Sequence, residues 1–252
     1  MTTSSPVRAI VTGHARGLGA ALAEQLLARN VAVLGLSRSR HATLAQRFPA
    51  LLEEIELELA DPVRVAQWLA GDALRGFVSG AQSVLLINNA GMVQPMGPIE
   101  AQDAAAIASA VSLNVATPLM LASAVAAASV NADDRRIVHI SSGAARNAYA
   151  GWSIYCSTKA ALDHHARAVA LDANRALRIC SLAPGVIDTN MQAQIRDTGS
   201  EQFPMREKFE DLKRNGLLST PEQCATQLRD YAFSDAFGQT PVADIREIAK
   251  QA

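Results

Sequence analysis

Tyr155 and Lys159 are the residues around which a reaction is most readily built. They stand four residues apart in Ser153–Arg175, a stretch of helical periodicity, so both side chains leave one face. A phenol normally keeps its proton to about pH 10. An ammonium beside it favours the phenolate and lowers that value. The pair therefore predicts a tyrosine usable as a general acid or base near neutrality. In a chain with three tyrosines such a spacing also arises by coincidence, in about one sequence in twenty. The residues around it decide its weight.

Ser142 lies just beyond Arg136–Ile140, which reads as a strand. In an open α/β sheet the ligand crevice lies at the carboxyl ends of the strands. A hydroxyl placed there can donate to a carbonyl oxygen that gains negative charge as hydride arrives. Ser141 is the neighbouring rival, and capping a turn is the alternative use of either serine. Asn114 is a polar residue inside an uncharged helical region, read either as a site residue or as a satisfied buried amide. Asn88 and Asn89, with Ala90 and Gly91, end another strand, where a backbone turn near a cofactor is expected.

The turn Thr12-Gly13-His14-Ala15-Arg16-Gly17-Leu18-Gly19 follows the first strand and opens the first helix. A dinucleotide pyrophosphate needs close approach to bare backbone and gains from the positive end of a helix dipole. Glycines at 13, 17 and 19 provide for both. After the second strand the sequence reads Gly35-Leu36-Ser37-Arg38-Ser39-Arg40. A site for a free ribose 2′-hydroxyl usually has an acid at this place. Here there are two arginines, and Arg16 in the glycine turn can reach the same position. A guanidinium fork suits a phosphate, so the expected cofactor is NADPH/NADP+. Solvation of the loop is the plainer use of Arg38 and Arg40.

These residues need a frame. Strands are expected at Val7–Val11, Val31–Leu36, Glu53–Leu59, Ser83–Ile87, Arg136–Ile140, Arg178–Leu182 and Pro241–Ile245. Helices are expected at Leu18–Arg29, Asp61 to about Leu74, Ala101–Ser129, Ser153–Arg175 and Pro221–Phe233. Asp61-Pro62 opens its helix with an acid as cap and proline at the first helical position. The alternation predicts an α/β, Rossmann-type doubly wound parallel sheet of about seven strands with helices on both faces. With 252 residues and 49% apolar composition, one domain over 1–252 is expected, with 188–216 a more charged lid or substrate loop within it.

The net charge of -1, with both signs scattered, gives no nucleic-acid footprint. Cys156, Cys180 and Cys224 fit neither a disulfide framework nor a zinc site, so no metal is expected. Met1–Pro6 lacks the hydrophobic stretch of a signal peptide. Ala104–Ala132 carries no charge but is interrupted by Ser, Thr, Asn and Pro, which favours a buried or partner-covered helix over a membrane span. A cytoplasmic protein is expected.

In sequence order, this set resembles the short-chain dehydrogenase/reductase family over Val7 to about Ile245. The resemblance implies that Ser142 orients the carbonyl, Tyr155 is the acid, and Lys159 binds the nicotinamide ribose while tuning Tyr155. Asn114 would hold a water in a proton relay to Lys159. Gly13, Arg16, Gly17, Leu18, Gly19, Ser37, Arg38, Asn88, Ala90 and Gly91 would bind the cofactor, and Asp61 would contact its adenine. Pro184, Gly185, Ile187 and Thr189 would lie along the nicotinamide. Homodimers or homotetramers are expected on the same ground.

Tyr155-Cys156-Ser157-Thr158-Lys159-Ala160-Ala161 and Ala183 to Gln192 are similar to sepiapterin reductases and bacterial benzil reductases. This implies an NADPH-dependent carbonyl reductase acting on ketones or diketones. Met191 and Asp244 are its candidate substrate contacts, Asp244 being alternatively an end-of-strand residue. Two rivals stand: an NAD(P)-dependent alcohol dehydrogenase acting oxidatively, and a non-catalytic NADPH-sensing protein.

Overall fold

The computed structural model describes residues 7–248; Met1–Pro6 lies outside them. Seven parallel strands form one sheet in the order β3-β2-β1-β4-β5-β6-β7. They are β1 (Val7–Thr12), β2 (Ala32–Ser37), β3 (Leu52–Glu56), β4 (Ser83–Asn88), β5 (Asp134–Ile140), β6 (Leu177–Ala183) and β7 (Val242–Asp244). The order reverses between β1 and β4, which opens a crevice at the strands' carboxyl ends.

Both faces of the sheet are buried, and the strands alternate between two cores. Ala9, Val11, Val33, Leu85, Ile87, Val138 and Leu182 point to one core, which α1 (Gly17–Leu27) and α10 (Pro221–Phe233) cover through Leu22, Leu26, Ala225 and Leu228. Ile10, Leu34, Leu36, Val84, Leu86, Ile137 and Ile179 point to the other. There α3 (Pro62–Ala70), α4 (Ala73–Val78), α6 (Thr117–Ala128) and α7 (Ser153–Ala170) close over them with Val65, Phe77, Leu121, Val125 and Ala166. Two-sided burial is why these strands read as continuous apolar runs.

Local chemistry sets several boundaries. The Asp61 carboxylate accepts from the N–H groups of Val63 and Arg64 at 3.0 and 3.1 Å and starts α3, as expected. That helix stops at Gly71, so the expected single helix to Leu74 is two. The last long helix begins with a complete capping box, Thr220 with Gln223.

The long alanine-rich helix is not continuous. It runs as α5 (Ala104–Val111), a π-helical turn over Ser112–Ala116, and α6. Ala104–Ala128 is long and apolar enough to cross a membrane, yet it carries the buried Asn114 and packs on the sheet and α7. The catalytic-helix candidate α7 ends at Ala170, short of the expected Arg175, in a turn where Ala173 takes a positive φ of 52°. A short helix, α2 (Leu44–Arg47), has no strong signal in the sequence.

Candidate active site

Four strand ends converge on the expected constellation. The Thr12 hydroxyl, at the end of β1, accepts from the N–H groups of Asn89 and Ala90, both at 2.9 Å, and the Asn89 amide donates to Thr12 O at 2.9 Å. These bonds hold Asn88–Gly91 against the glycine turn. Asn88 is buried, its amide spent on Pro118 O and His139 Nδ1, both at 3.1 Å.

The glycine turn has the bare backbone that the sequence implies. Gly13 and Gly17 have φ of +70° and +56°. A Cβ on Gly19 would lie 2.1 Å from Gly13 O, so only glycine lets the first turn of α1 close on the strand end. Arg16, at the N-cap of α1, makes no side-chain cap bond, and no acid occupies the first turn. The leading N–H groups of α1 have no side-chain acceptor and face an anion's place. A Cβ at Gly17 would be 3.6 Å from Thr189 Cγ2, so the loop after β6 passes over the turn. Pro184, Gly185 (φ +78°) and Ile187 lie in that loop; Ile187 bridges Ser219 in parallel fashion. A glycine-lined cradle roofed by Thr189 suits a dinucleotide.

Beyond the glycine turn the three arginines separate. Arg40 donates to Glu56 at 3.2 Å. Arg16 and Arg38 are exposed, and among the described residues neither has an acidic partner. Ser37 donates to Ser39 O at 2.5 Å.

The candidate reacting groups meet at the end of β5. The Ser142 hydroxyl accepts from Ala144 N–H at 3.1 Å, and Ser142 is near enough to Tyr155 to favour the ionised phenol. Ser141, its rival, donates instead to Asp163 Oδ1 at 2.6 Å and is buried. Lys159 Nζ donates to Ile140 O at 2.8 Å and lies 5.8 Å from the centroid of the Tyr155 ring. Gly91 packs beside it: a Cβ there would be 3.2 Å from Asn114 Oδ1 and 3.5 Å from Lys159 Nζ. Tyr155, Ser142, Lys159 and Asn114 thus surround one point.

Two details differ from the expected arrangement. Burial raises the Tyr155 phenol above 10.0, Ser142 opposing it and Cys156 adding to it. Burial drops Lys159 itself from 10.5 to about 8, against an upward push from Asp163, and its ammonium is directed at Ile140 O. The amide of Asn114 is fully committed: Nδ2 donates to Met92 O (2.8 Å) and Thr158 Oγ1 (3.2 Å), and Oδ1 accepts from Met92 N–H (2.9 Å). The side chain thereby anchors the loop after β4. The π turn around it widens the helix, a distortion that takes a carbonyl out of the regular ladder.

An aromatic wall stands over Tyr155. Trp152 stacks on Phe203 at 4.5 Å and meets the Tyr155 ring edge-on at 5.2 Å, with Phe209 and Tyr149 at 5.4 and 5.5 Å. Five of the chain's two Trp, three Tyr and six Phe gather here, so the concentration marks a site. Phe203 and Phe209 come from the segment after β6, which forms α8 (Asn190–Asp197) and α9 (Arg206–Arg214); Met191 on α8 packs at the edge of the same cluster. Asp188 ion-pairs with Lys213 across the base of this segment. Asp244 sits at the end of β7, its carboxylate accepting from Arg246 N, Nε and Nη2 at 3.0, 2.9 and 2.6 Å. It is an end-of-strand residue already satisfied by that arginine.

The comparisons with known proteins agree with this geometry. The family model described as short chain dehydrogenase matches residues 8–200. The chain belongs to the short-chain dehydrogenase family, and it is an oxidoreductase of that family. It is 35% identical to "Benzil reductase ((S)-benzoin forming)" of Bacillus cereus, over 94% of this chain and 98% of that protein. It is 29% identical to the sepiapterin reductase of Xenopus tropicalis, over 92% and 93%. Among solved structures, a short-chain dehydrogenase/reductase from Burkholderia vietnamiensis is 56% identical, with a TM-score of 0.71, over 97% of this chain and all of that one.

Proposed function

We propose that this protein is an NADPH-dependent carbonyl reductase whose substrates are aromatic or ring-borne ketones and diketones of the benzil and sepiapterin kind. The observation that carries the reading is the gathering of Ser142, Tyr155 and Lys159 at the end of β5 beneath the Trp152–Phe203 wall. The names of the two relatives support the substrate class.

A nicotinamide held in this groove would supply the hydride. Ser142 and Tyr155 hold the carbonyl oxygen, and the phenol gives up its proton as charge gathers there. The raised pKa of Tyr155 keeps it protonated at neutral pH, the form that reduction requires. Lys159 holds the nicotinamide ribose and offers positive charge to the phenolate left behind. Because the Asn114 amide is committed, its share in resupplying the proton falls to a main-chain carbonyl of the π turn.

Gly13, Gly17, Leu18 and Gly19 take the pyrophosphate and Asp61 borders the adenine. Ser37, Asn88, Ala90, Gly91, Pro184, Gly185, Ile187 and Thr189 complete the cofactor groove. Arg16 and Arg38, which are exposed and have no acidic partner among the described residues, take the 2′-phosphate. The whole chain acts as one nucleotide-binding domain, and 188–216 is its substrate lid, with Met191 on the pocket side. We assign the apolar surface of Ala104–Ala128 and α7 to contact between copies in a cytoplasmic homo-oligomer.

The test is a carbonyl panel of benzil, sepiapterin, isatin and simple ketones with NADPH and NADH. The expected result is rapid NADPH oxidation with the diketones. Tyr155→Phe should cut kcat by about a thousandfold while NADPH binds as before. Activity retained in that variant overturns the mechanism. Silence across the panel overturns the reductase reading, and equal use of NADH overturns the cofactor.

A further inference from the structure

Arg16 and Arg38 lie on different segments, one in the turn after β1 and the other in the loop after β2. Long guanidinium side chains form a specific fork for a phosphate only when the backbones that carry them are held in register. One buried carboxylate holds both segments. His14, two residues before Arg16, is fully buried, and its Nε2 lies 2.8 Å from Glu54 Oε1 on β3. The same oxygen accepts the main-chain N–H of His41 at 2.7 Å. His41 Nδ1 in turn accepts from the N–H groups of Thr43 and Leu44, each at 3.2 Å.

With Ser37 bonded to Ser39 O, the loop that bears Arg38 is pinned before and after it. His14 reaches across to β3 over Gly35, where a Cβ would come within 2.5 Å of the imidazole. Side-chain exposure of His14 and Glu54 is 1% and 4%. His14 Nδ1 has no partner among the described residues, so the Nε2–Glu54 contact is the one that holds this buried ring, and breaking it is costly.

We propose that His14 and Glu54 form a positioning clamp that sets the spacing of Arg16 and Arg38, and thereby the preference for the cofactor carrying a 2′-phosphate. The proposal rests on the NADPH reading above. The clamp acts through backbone: Glu54 serves two donors with one oxygen, and an amide oxygen can do the same. Charge on Glu54 is therefore dispensable, whereas the acceptor is not.

The experiment measures NADP+ and NAD+ affinity by calorimetry for the wild type, Glu54→Gln, Glu54→Ala and His14→Ala, with circular dichroism of each unliganded protein. His14→Ala and Glu54→Ala should weaken NADP+ by about tenfold or more and NAD+ by less than about twofold. Glu54→Gln should stay within about threefold of wild type on both. Unchanged NADP+ affinity in the alanine variants, equal weakening of both cofactors, or a Gln variant as impaired as the Ala variant overturns the clamp. If Glu54→Ala does not fold, His14→Ala, which leaves Glu54 bonded to His41, decides alone. A wild type that binds NAD+ as tightly as NADP+ refutes the NADPH reading itself, and that shows before any variant is made.

Discussion

Lys159 and Asp163 stand one turn apart on the buried face of α7, 5% and 1% exposed, with opposite charges that share no direct hydrogen bond. Asp163 Oδ1 accepts instead from Ser141 and Ser181, at 2.6 and 2.8 Å, and its Oδ2 faces Arg146 Nε at 3.5 Å. Burial pulls the Lys159 pKa to about 8, and the carboxylate keeps it from going lower. Asp163 also braces Ser141, next to Ser142.

This relationship predicts the alkaline limb of reduction. Tyr155 stays protonated beyond pH 10, so Lys159 loses its proton first. The rate kcat/KM should be flat near neutrality and fall above a pH of about 8. Asp163→Asn removes the charge that favours the ammonium, so the limb should move to lower pH. Parallel pH–rate profiles of the two proteins check this. A limb that does not move would leave Asp163 with packing alone.

Gly151 predicts how the pocket responds to a displaced lid. Its φ is +79°, and a Cβ would lie 2.2 Å from Gln202 O, on the chain leading to Phe203. Gly151→Ala must push the 199–205 segment off Trp152, at a strain of roughly 1–3 kcal/mol. The expected outcome is a rise of about tenfold in KM for an aromatic diketone, with unchanged NADP+ affinity. Steady-state kinetics beside calorimetry separate the two.

Gly19→Ala should act on the other half of the site. The added Cβ meets Gly13 O at 2.1 Å, backbone that cannot swing aside. The turn must open, and NADP+ and NAD+ should lose affinity together, by about a hundredfold or more. Titration with both cofactors tests this, and the shared loss distinguishes it from the His14 variants.

What the sequence made legible was local. Asp61-Pro62 starts a helix by its own cap, which acts within a few residues, and Pro221–Phe233 has the bounds expected of it. The glycine turn and the Tyr155–Lys159 spacing were legible for the same reason. The π turn was not, since an alanine-rich run reads as unbroken helix. The Trp152–Phe203 stack joins residues from separate segments, and the His14–Glu54 contact passes over β2 to reach β3. Helical spacing put Lys159 on the face of Tyr155, yet only the tertiary structure shows its ammonium directed at Ile140 O and its charge weakened by burial.

His139 predicts acid sensitivity. It is fully buried on β5; Asn88 Nδ2 donates to its Nδ1 at 3.1 Å, leaving its proton on Nε2 to donate to His165 Nδ1, also at 3.1 Å. Burial, with His165 and Lys159 adding repulsion, lowers its pKa from 6.5 to about 3. Below pH 6.5 the unfolded chain takes up a proton at this residue that the folded chain refuses, so stability falls as pH falls, until the folded group itself titrates. The slope is about 1.4 kcal/mol per pH unit. Between pH 7.5 and 5 the wild type should therefore lose about 2 kcal/mol more than His139→Gln, whose amide still accepts from Asn88. Urea unfolding of both proteins at the two pH values measures the difference. Equal losses would mean that the folded protein admits the proton at His139, against the enclosure seen around it.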